Sequence, residues 1–263
     1  MSIKNVFKII THIVWIILLT ALTQVGGFIW VLTLILCKLK QWKKRYVFIA
    51  LYLLFNAVII PPIANYFGRV RLPISKQGLK CKNITYPILF RNYVKPKLKK
   101  LLEDSALSLI EQDNIKITYL DANFPFYDGF PLLPHRSHND GKKIDICFMY
   151  KTKNGLSTNK KPSISGYGVY VKKENIATKN CIEKGYWQYD FPKYLTLGTI
   201  NNLDFDANAT KKIITTFLSK SATQKIFIEP YLKTELKLNR YNKIRFHGCK
   251  AVRHDDHIHL QIK

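Results

Sequence analysis

Six of the seven histidines in this chain fall into two groups that lie more than a hundred residues apart in the sequence. The first group is His135 and His138, with Asp145 close behind, and the second is His247, His254, His257 and His259. Imidazole and carboxylate groups are common ligands of Zn²⁺, and imidazole also exchanges protons near neutral pH. The two groups therefore predict one metal site assembled from distant parts of the chain.

The spacing within each group indicates how such a site would be arranged. Catalytic zinc usually takes three protein ligands and leaves one position for water. His138 and Asp145 are seven residues apart, which suits a loop followed by a strand. His257 and His259 lie at i and i+2, so in a strand both project from the same face, one toward the metal and the other toward substrate or water. An aspartate within 255–256 could orient an imidazole through its second nitrogen.

A framework of strands and helices must hold these side chains. Leucines at helical spacing after a proline predict a helix over residues 96–112, and capping and periodicity predict another over 208–221. Strands are predicted over 115–120, 144–150 and 257–262. The elements alternate irregularly and show no βαβ repeat. The predicted fold class is therefore α+β, with a small, mainly antiparallel sheet and flanking helices.

The first 66 residues predict a membrane anchor. They contain no Asp or Glu, and the apolar runs at about 9–37 and 46–66 are each long enough to cross a hydrocarbon core of roughly 30 Å. A transmembrane helical hairpin is the favoured interpretation, over a buried core helix or a cleaved signal peptide. It divides the chain into an anchor at 1–66, a juxtamembrane linker at 67–95 and a domain at 96–263.

The charge of the chain does not determine which side of the membrane the two ends of this anchor face. Of the net charge of +25, seven Lys and Arg contribute +7 within residues 1–66, which leaves +18 for the rest. The basic loop at 38–45 favours a cytoplasmic loop by the positive-inside rule, but Lys4, Lys8 and the basic residues at 69–82 remove the contrast. The lysines of the domain are spread out and no nucleic-acid-binding module is visible. We therefore expect no nucleic acid, and an anionic partner such as lipid headgroups or cell-wall polymer.

Two further features leave alternatives open. Four cysteines lie outside the anchor, at 81, 147, 181 and 249, and are compatible with two disulfides or with four thiols. No CxxC pair occurs, which argues against a cysteine zinc cluster. The aromatic segment at 119–130 is typical either of a substrate-groove wall or of a packed structural loop.

The histidine groups resemble motifs of a known peptidase group. Residues 137–145, Ser-His-Asn-Asp-Gly-Lys-Lys-Ile-Asp, resemble the SxHxxGxxxD segment of the LAS zinc peptidases, and His257 with His259 resembles their HxH motif. Within that group the penicillin-insensitive murein endopeptidases are most similar, because His135 and His254 also match histidines of that family. The resemblance covers about residues 115–263 and implies a LAS/hedgehog-like zinc peptidase fold.

The resemblance implies one zinc ion and a defined set of roles. The implied metal ligands are His138, Asp145 and His259. His257 would act as general base or would stabilise the developing oxyanion. His254 and His135 would orient the ligands or act as a supporting acid or base. The Asp-x-x-His element of the murein endopeptidases has no equivalent here, so a second metal position is not implied.

The implied function is a membrane-anchored zinc metallopeptidase that hydrolyses amide bonds in peptidoglycan cross-links or stem peptides. Its partners would be peptidoglycan or muropeptides and membrane lipid. It would lie in the inner (cytoplasmic) membrane, with the catalytic domain facing the periplasm or cell exterior. The alternatives are an inactive metal- or cell-wall-binding membrane protein and a cytoplasmic-facing metallohydrolase acting on a phosphoester.

Overall fold

The computed structural model describes residues 2–263, and its N-terminal part is helical. The helices are α1 (Ile3–Thr23), α2 (Gly26–Lys40), α3 (Lys44–Leu54) and α4 (Ile60–Tyr66), with a π-helical turn at Phe55–Ile59 between α3 and α4. Within the described residues, two stretches are long and apolar enough to cross a membrane, Ile3–Thr23 and Lys44–Tyr66. Most large apolar side chains of α1 are exposed, so this helix is not a core helix of the domain.

The apolar run at 9–37, expected to be one helix, is two. Gln24 has a positive φ of 67°, an unusual conformation for a residue other than glycine, and it ends α1 at a tight turn. α2 then packs back closely on α1, because Gly27 has no side chain and a Cβ there would lie 2.0 Å from Thr20 Oγ1. The expected hairpin is therefore a three-helix arrangement in which α2 contacts both candidate spans.

This arrangement gathers the basic residues of the helices at one end. The Trp30 ring of α2 packs on His12 of α1 and on Phe48 of α3, while Phe28 packs on Phe55. These contacts make α2 antiparallel to both neighbours, so its C-terminus lies beside the N-termini of α1 and α3. That end carries all seven basic residues of the first 66: Lys4, Lys8, Lys38, Lys40, Lys43, Lys44 and Arg45.

Pro61 leaves a backbone carbonyl of the π-helical turn free for a polar contact with the domain. Proline has no N–H, so the carbonyl of Asn56, five residues earlier, has no π-helical donor. Arg71 Nη1 donates to that carbonyl oxygen at 3.2 Å, and Arg71 Nη2 donates to Asn56 Oδ1 at 2.9 Å. The domain is thus fastened to the helix at Asn56.

The remaining residues form an α+β domain. Its strands are β1 (Val70–Arg71), β2 (Ser75–Lys76), β3 (Leu79–Cys81), β4 (Tyr93–Val94), β5 (Ile117–Tyr119), β6 (Lys143–Cys147), β7 (Tyr150–Lys151), β8 (Ser157–Thr158), β9 (Asp204–Phe205), β10 (Thr223–Phe227), β11 (Ile244–Arg245) and β12 (His257–Ile262). Its helices are α5 (Thr85–Ile88), α6 (Pro96–Asp113), α7 (Ile176–Glu183), a 3-10 helix (Trp187–Leu195), α8 (Ala207–Ser219) and α9 (Pro230–Glu235).

Seven strands form the central sheet, in the order β11-β10-β12-β6-β5-β3-β2. Four of its six neighbouring pairs are antiparallel, while β10–β11 and β3–β5 are parallel. Helices α6 and α8 pack against this sheet. The main core cluster joins Leu102 and Phe217 of these helices to Ile146 and Ile258 of the central strands. The predicted α+β class with flanking helices is confirmed, as is the helix predicted over 96–112.

Residues 67–95 are not a linker in the structure. They supply β2 and β3 to the central sheet, and β1 pairs with β4 in a small separate sheet. Leu72 and Leu79 are buried in the main core. The physical reason is that these strands are only two or three residues long, so they have too few side chains to show an alternating pattern in the sequence.

The aromatic segment at 119–130 packs as a structural loop. Phe124 is buried in a second apolar cluster, with Phe126 and Phe130 against it. The same cluster contains Ile60 of α4 and Val25 at the α1–α2 turn. The segment therefore holds the domain against the N-terminal helices.

Candidate metal centre

The two histidine groups come together across β6 and β12, which are neighbours in the central sheet. The antiparallel register pairs His259 with Asp145 and His257 with Cys147. Ile258, between the two histidines, is fully buried in the core on the other face of the sheet. The alternation of the strand therefore sets both imidazoles on the face that carries Asp145.

Three donor atoms on this face form a small triangle. His138 Nε2 lies 3.1 Å from His259 Nδ1 and 3.2 Å from Asp145 Oδ1, and His259 Nδ1 lies 2.9 Å from Asp145 Oδ1. Donor atoms of a tetrahedral zinc site with bonds of 2.0–2.1 Å lie about 3.3 Å apart. The separations observed between these buried atoms thus fit a metal ion bound by all three.

The hydrogen bonds around the triangle suit metal binding. His138 Nδ1 donates to the backbone carbonyl of Ala122 at 2.7 Å, so the lone pair of the neutral ring is on Nε2. That lone pair points at the carboxylate oxygen of Asp145 and at His259 Nδ1, which are also acceptors when deprotonated. Burial lowers the pKa of His259 to about 3, so this ring is neutral at pH 7. Several acceptors around one point favour a cation there.

His135 adds a further donor beside the triangle. One potential ligand atom from each of His135, His138 and Asp145 lies within 4.8 Å of the others, so these three could also hold a metal ion. His135 Nδ1 is 3.1 Å from Asp145 Oδ2 and 3.2 Å from Asp121 Oδ2. Burial lowers the pKa of His135, but the carboxylates of Asp145 and Asp121 outweigh burial and raise it to about 9. A protonated His135 forms ion pairs with both carboxylates.

Two residues that sequence reasoning does not identify hold Asp145 and His135 in place. The Tyr167 hydroxyl donates to Asp145 Oδ2 at 2.8 Å in the buried interior. Asp121 lies beside His135 and accepts two hydrogen bonds from the Arg91 guanidinium, at 2.5 and 2.8 Å. Carboxylates and hydroxyls of this kind fix the orientation of metal ligands.

A glycine turn positions Tyr167, and it is the one sequence signal for this residue. Gly166 and Gly168 have positive φ angles of 99° and 81°. A Cβ on Gly166 would lie 2.3 Å from Leu120 Cδ2, so the turn approaches the sheet as only glycine can. Asp256 Oδ2 accepts a hydrogen bond from the Gly168 N–H at 2.6 Å, which joins this turn to the second histidine group.

Asp256 also orients the imidazole of His257. His257 Nδ1 donates to Asp256 Oδ1, which leaves Nε2 facing the site, 3.6 Å from Asp145 Oδ1. Among residues 2–263, His257 Nε2 has no hydrogen-bond partner. Burial lowers the pKa of His257, but Asp145 and Asp256 together raise it above its usual value. The neighbouring Asp255 instead pairs with the buried Arg253.

The other two histidines of the second group border the same site. The His254 ring lies 4.9 Å from that of His257 and 5.6 Å from that of His259, and burial lowers its pKa well below the usual value. His247 stacks on Phe227 at 4.2 Å, and burial lowers its pKa to about 4. Both rings are therefore neutral at pH 7. All six histidines and Asp145 meet in one place.

The site opens into a cleft of about 570 Å³. Aromatic and basic side chains share its walls with the histidines, among them Trp187, Phe191, Arg136 and Lys250. The aromatic segment at 119–130 does not line it. A disulfide between Cys181 and Cys249 ties α7 to the loop that carries Lys250. Cys37, Cys81 and Cys147 are thiols, so the described residues after the N-terminal helices contain one disulfide rather than two.

No protein-family model matches the chain, and no curated protein matches its sequence.

Proposed function

We propose that this protein is a membrane-anchored zinc peptidase that hydrolyses amide bonds in peptidoglycan. The observation that carries the proposal is the donor triangle of His138, Asp145 and His259 with the unpartnered Nε2 of His257 beside it, at the base of an open cleft. Three ligands and a separate base are the usual parts of a hydrolytic zinc site. The resemblance to LAS peptidases supports the same assignment.

The residues of the site divide the chemistry between them. When bound to the triangle, Zn²⁺ supplies Lewis acidity that lowers the pKa of water and polarises a carbonyl group. His257 accepts a proton at Nε2, because its Nδ1 already donates to Asp256. The Asp256 carboxylate stabilises the imidazolium that results. His135 and Tyr167 hold the Asp145 carboxylate in its orientation.

The cleft suits a peptide that carries carboxylate groups. Arg136 and Lys250 both line it and are exposed, so they can pair with substrate carboxylates. Trp187 and Phe191 provide apolar surface for the uncharged parts of the substrate. Peptidoglycan stem peptides combine free carboxylates with alanyl side chains. These features favour an anionic peptide over an uncharged one.

We infer that the domain faces the periplasm or cell exterior. The seven basic residues at the Lys44 end of the helices favour the cytoplasm for that end by the positive-inside rule. The domain contacts the opposite end, at the α1–α2 turn and α4. The disulfide Cys181–Cys249 supports this orientation, because disulfides persist mainly in oxidising compartments.

A digestion experiment tests the proposal. The full-length chain, purified in detergent and loaded with zinc, is incubated with purified murein, and the soluble products are analysed by chromatography and mass spectrometry. We expect new muropeptides whose masses correspond to amide hydrolysis. His138→Ala should lose both products and zinc, whereas Lys160→Ala, at an exposed position, should keep both. One bound zinc without any new muropeptide would refute the proposal and indicate a binding protein.

A further inference from the structure

A short segment of the domain packs against the middle of the second candidate span. We call residues 84–90 the foot; it contains α5. Asn56 Nδ2 donates to the carbonyl oxygens of Pro87 and Ile88 at 3.0 and 3.1 Å, and the Tyr52 hydroxyl donates to the same Ile88 oxygen at 2.9 Å. Phe90 is fully buried in the apolar cluster that contains Ile60.

The position of Asn56 sets the depth of the foot. The helical stretch Lys44–Tyr66 has 23 residues, so it is about 34 Å long at 1.5 Å per residue. Asn56 lies twelve residues from Lys44, about 18 Å along this length. A hydrocarbon core of roughly 30 Å covered by this helix therefore includes Asn56 near its middle. The foot contacts the helix at that level.

The surface of the foot is suited to lipid. Ile84 and Ile88 are 51% and 44% exposed, and both are large and apolar. The carbonyl groups at the end of α5 have donors from Asn56 and Tyr52, so they do not need water. Non-helical backbone at membrane depth is tolerated only where its polar groups are satisfied by protein.

We propose that the foot is inserted in the outer half of the bilayer, with Ile84 and Ile88 against lipid acyl chains. The domain is then not held away from the membrane by a linker. Part of it is an element of the membrane unit, and its orientation relative to the bilayer is fixed by the contacts with α3 and α4.

Insertion places the cleft at the membrane surface. Ile60 and Ala64 lie about 24 and 30 Å from Lys44 along the helix, near its outer end, and they share an apolar cluster with Leu132. The next residue, Leu133, is 54% exposed and lines the cleft, as does His135. If the proposed function holds, the substrate class that this geometry favours is a peptide attached to a membrane lipid.

Labelling from within the bilayer tests the insertion. The full-length chain is reconstituted in phosphatidylethanolamine and phosphatidylglycerol vesicles that contain a phospholipid with a diazirine midway along one acyl chain. After irradiation, adducts are mapped by peptide mass spectrometry. We expect adducts on Ile84 or Ile88 as well as on α1 and α3. Leu156, 69% exposed on the β7–β8 hairpin, is the internal control and should be unlabelled.

Two results would overturn the insertion. Adducts confined to α1–α4, with none on the foot, would mean that the outer half of Lys44–Tyr66 stands clear of the bilayer. Labelling of the foot no stronger than that of Leu156 would mean that the foot meets the acyl chains no more often than an aqueous hairpin does. Neither result depends on enzymatic activity, so both are separate from failure of the proposed function.

Hydrolysis in the same vesicles tests the substrate class. A disaccharide pentapeptide attached to a polyprenyl diphosphate in the bilayer is compared with the same disaccharide pentapeptide in solution. We expect faster cleavage of the lipid-attached form by about tenfold or more, from its higher effective concentration at the cleft. Equal rates would overturn the preference for lipid-attached peptide. Cleavage of neither form, with the foot labelled, would overturn the lipid-attached substrate class and leave the insertion standing, while the murein digestion tests the peptidase proposal separately.

Discussion

Removing the Tyr167 hydroxyl should weaken metal binding without unfolding the domain. Tyr167→Phe keeps the ring, which packs at 4.8 Å from His135 and 5.1 Å from His257. It deletes the 2.8 Å hydrogen bond to Asp145 Oδ2, together with the longer bonds of the same hydroxyl from the Asp121 N–H at 3.3 Å and to Asp121 Oδ2 at 3.5 Å. A buried hydrogen bond to a charged group is worth about 1.5–3 kcal/mol. Outer partners of metal ligands typically account for about ten- to hundredfold in affinity, which is about 1.4–2.8 kcal/mol. Both of these energy estimates predict a ten- to hundredfold loss of zinc affinity.

The affinity is measured on the full-length chain in detergent by competition with a fluorescent zinc chelator. Tyr93→Phe is the matched control, because the Tyr93 hydroxyl is buried but has no hydrogen-bond partner within residues 2–263. This variant should bind zinc as tightly as the natural chain. Thermal unfolding of the metal-free proteins establishes that both variants are folded. A folded Tyr167→Phe protein with unchanged zinc affinity would refute the role of Asp145 as a ligand held by Tyr167.

Three further outcomes are expected. Asp256→Asn should lower kcat on muropeptides about ten- to hundredfold, because the imidazole loses its anionic partner, while zinc stoichiometry stays unchanged; loss of zinc would contradict this. Replacing both Cys181 and Cys249 by serine should destabilise the domain by about 4 kcal/mol in denaturant titrations, from the closure entropy of a 68-residue loop. Cys37→Ser opens no loop and should lower the free energy of unfolding much less. Burial lowers the pKa of Lys161 from 10.5 to about 8, so the folded protein releases this proton at a lower pH than the unfolded chain does. The stability of the natural chain relative to Lys161→Met should rise between pH 8 and 10.5, by about 3 kcal/mol; a flat difference would contradict it.

The elements that bear the site were predictable because they are long or strongly patterned. The helix α6 and the last strand, β12, follow the periods of their apolar residues. The i, i+2 spacing of His257 and His259 is sufficient to predict that both lie on one face, since the side chains of a strand alternate. The donor triangle depends on one more step, the pairing of β12 with β6, which no local pattern specifies.

Other parts of the site lie beyond local patterns. Tyr167 and Asp121 are 46 residues apart in sequence, and both contact the Asp145–His135 group only because the chain folds back over the sheet. Residues 67–95 join the central sheet through strands of two or three residues, too short to carry a period. Contacts of this kind are set by packing between distant segments, so the sequence does not specify them, and the glycines beside Tyr167 indicate only a turn there.

The N-terminal helices distinguish most clearly what the sequence determines from what the tertiary structure decides. Hydropathy and charge are additive along the chain, so the residues alone established an acid-free apolar segment, two candidate spans and a surplus of seven basic groups. The positions of those charges in space depend on a single turn at Gln24, where α1 ends and α2 reverses direction. The reversal brings Lys4 and Lys8 beside the 38–45 loop, so seven basic residues lie at that end of the helices, against the five of residues 69–82 that follow the other end. Which end of the helices carries the basic residues depends on how the helices pack against one another, and composition alone does not determine that packing.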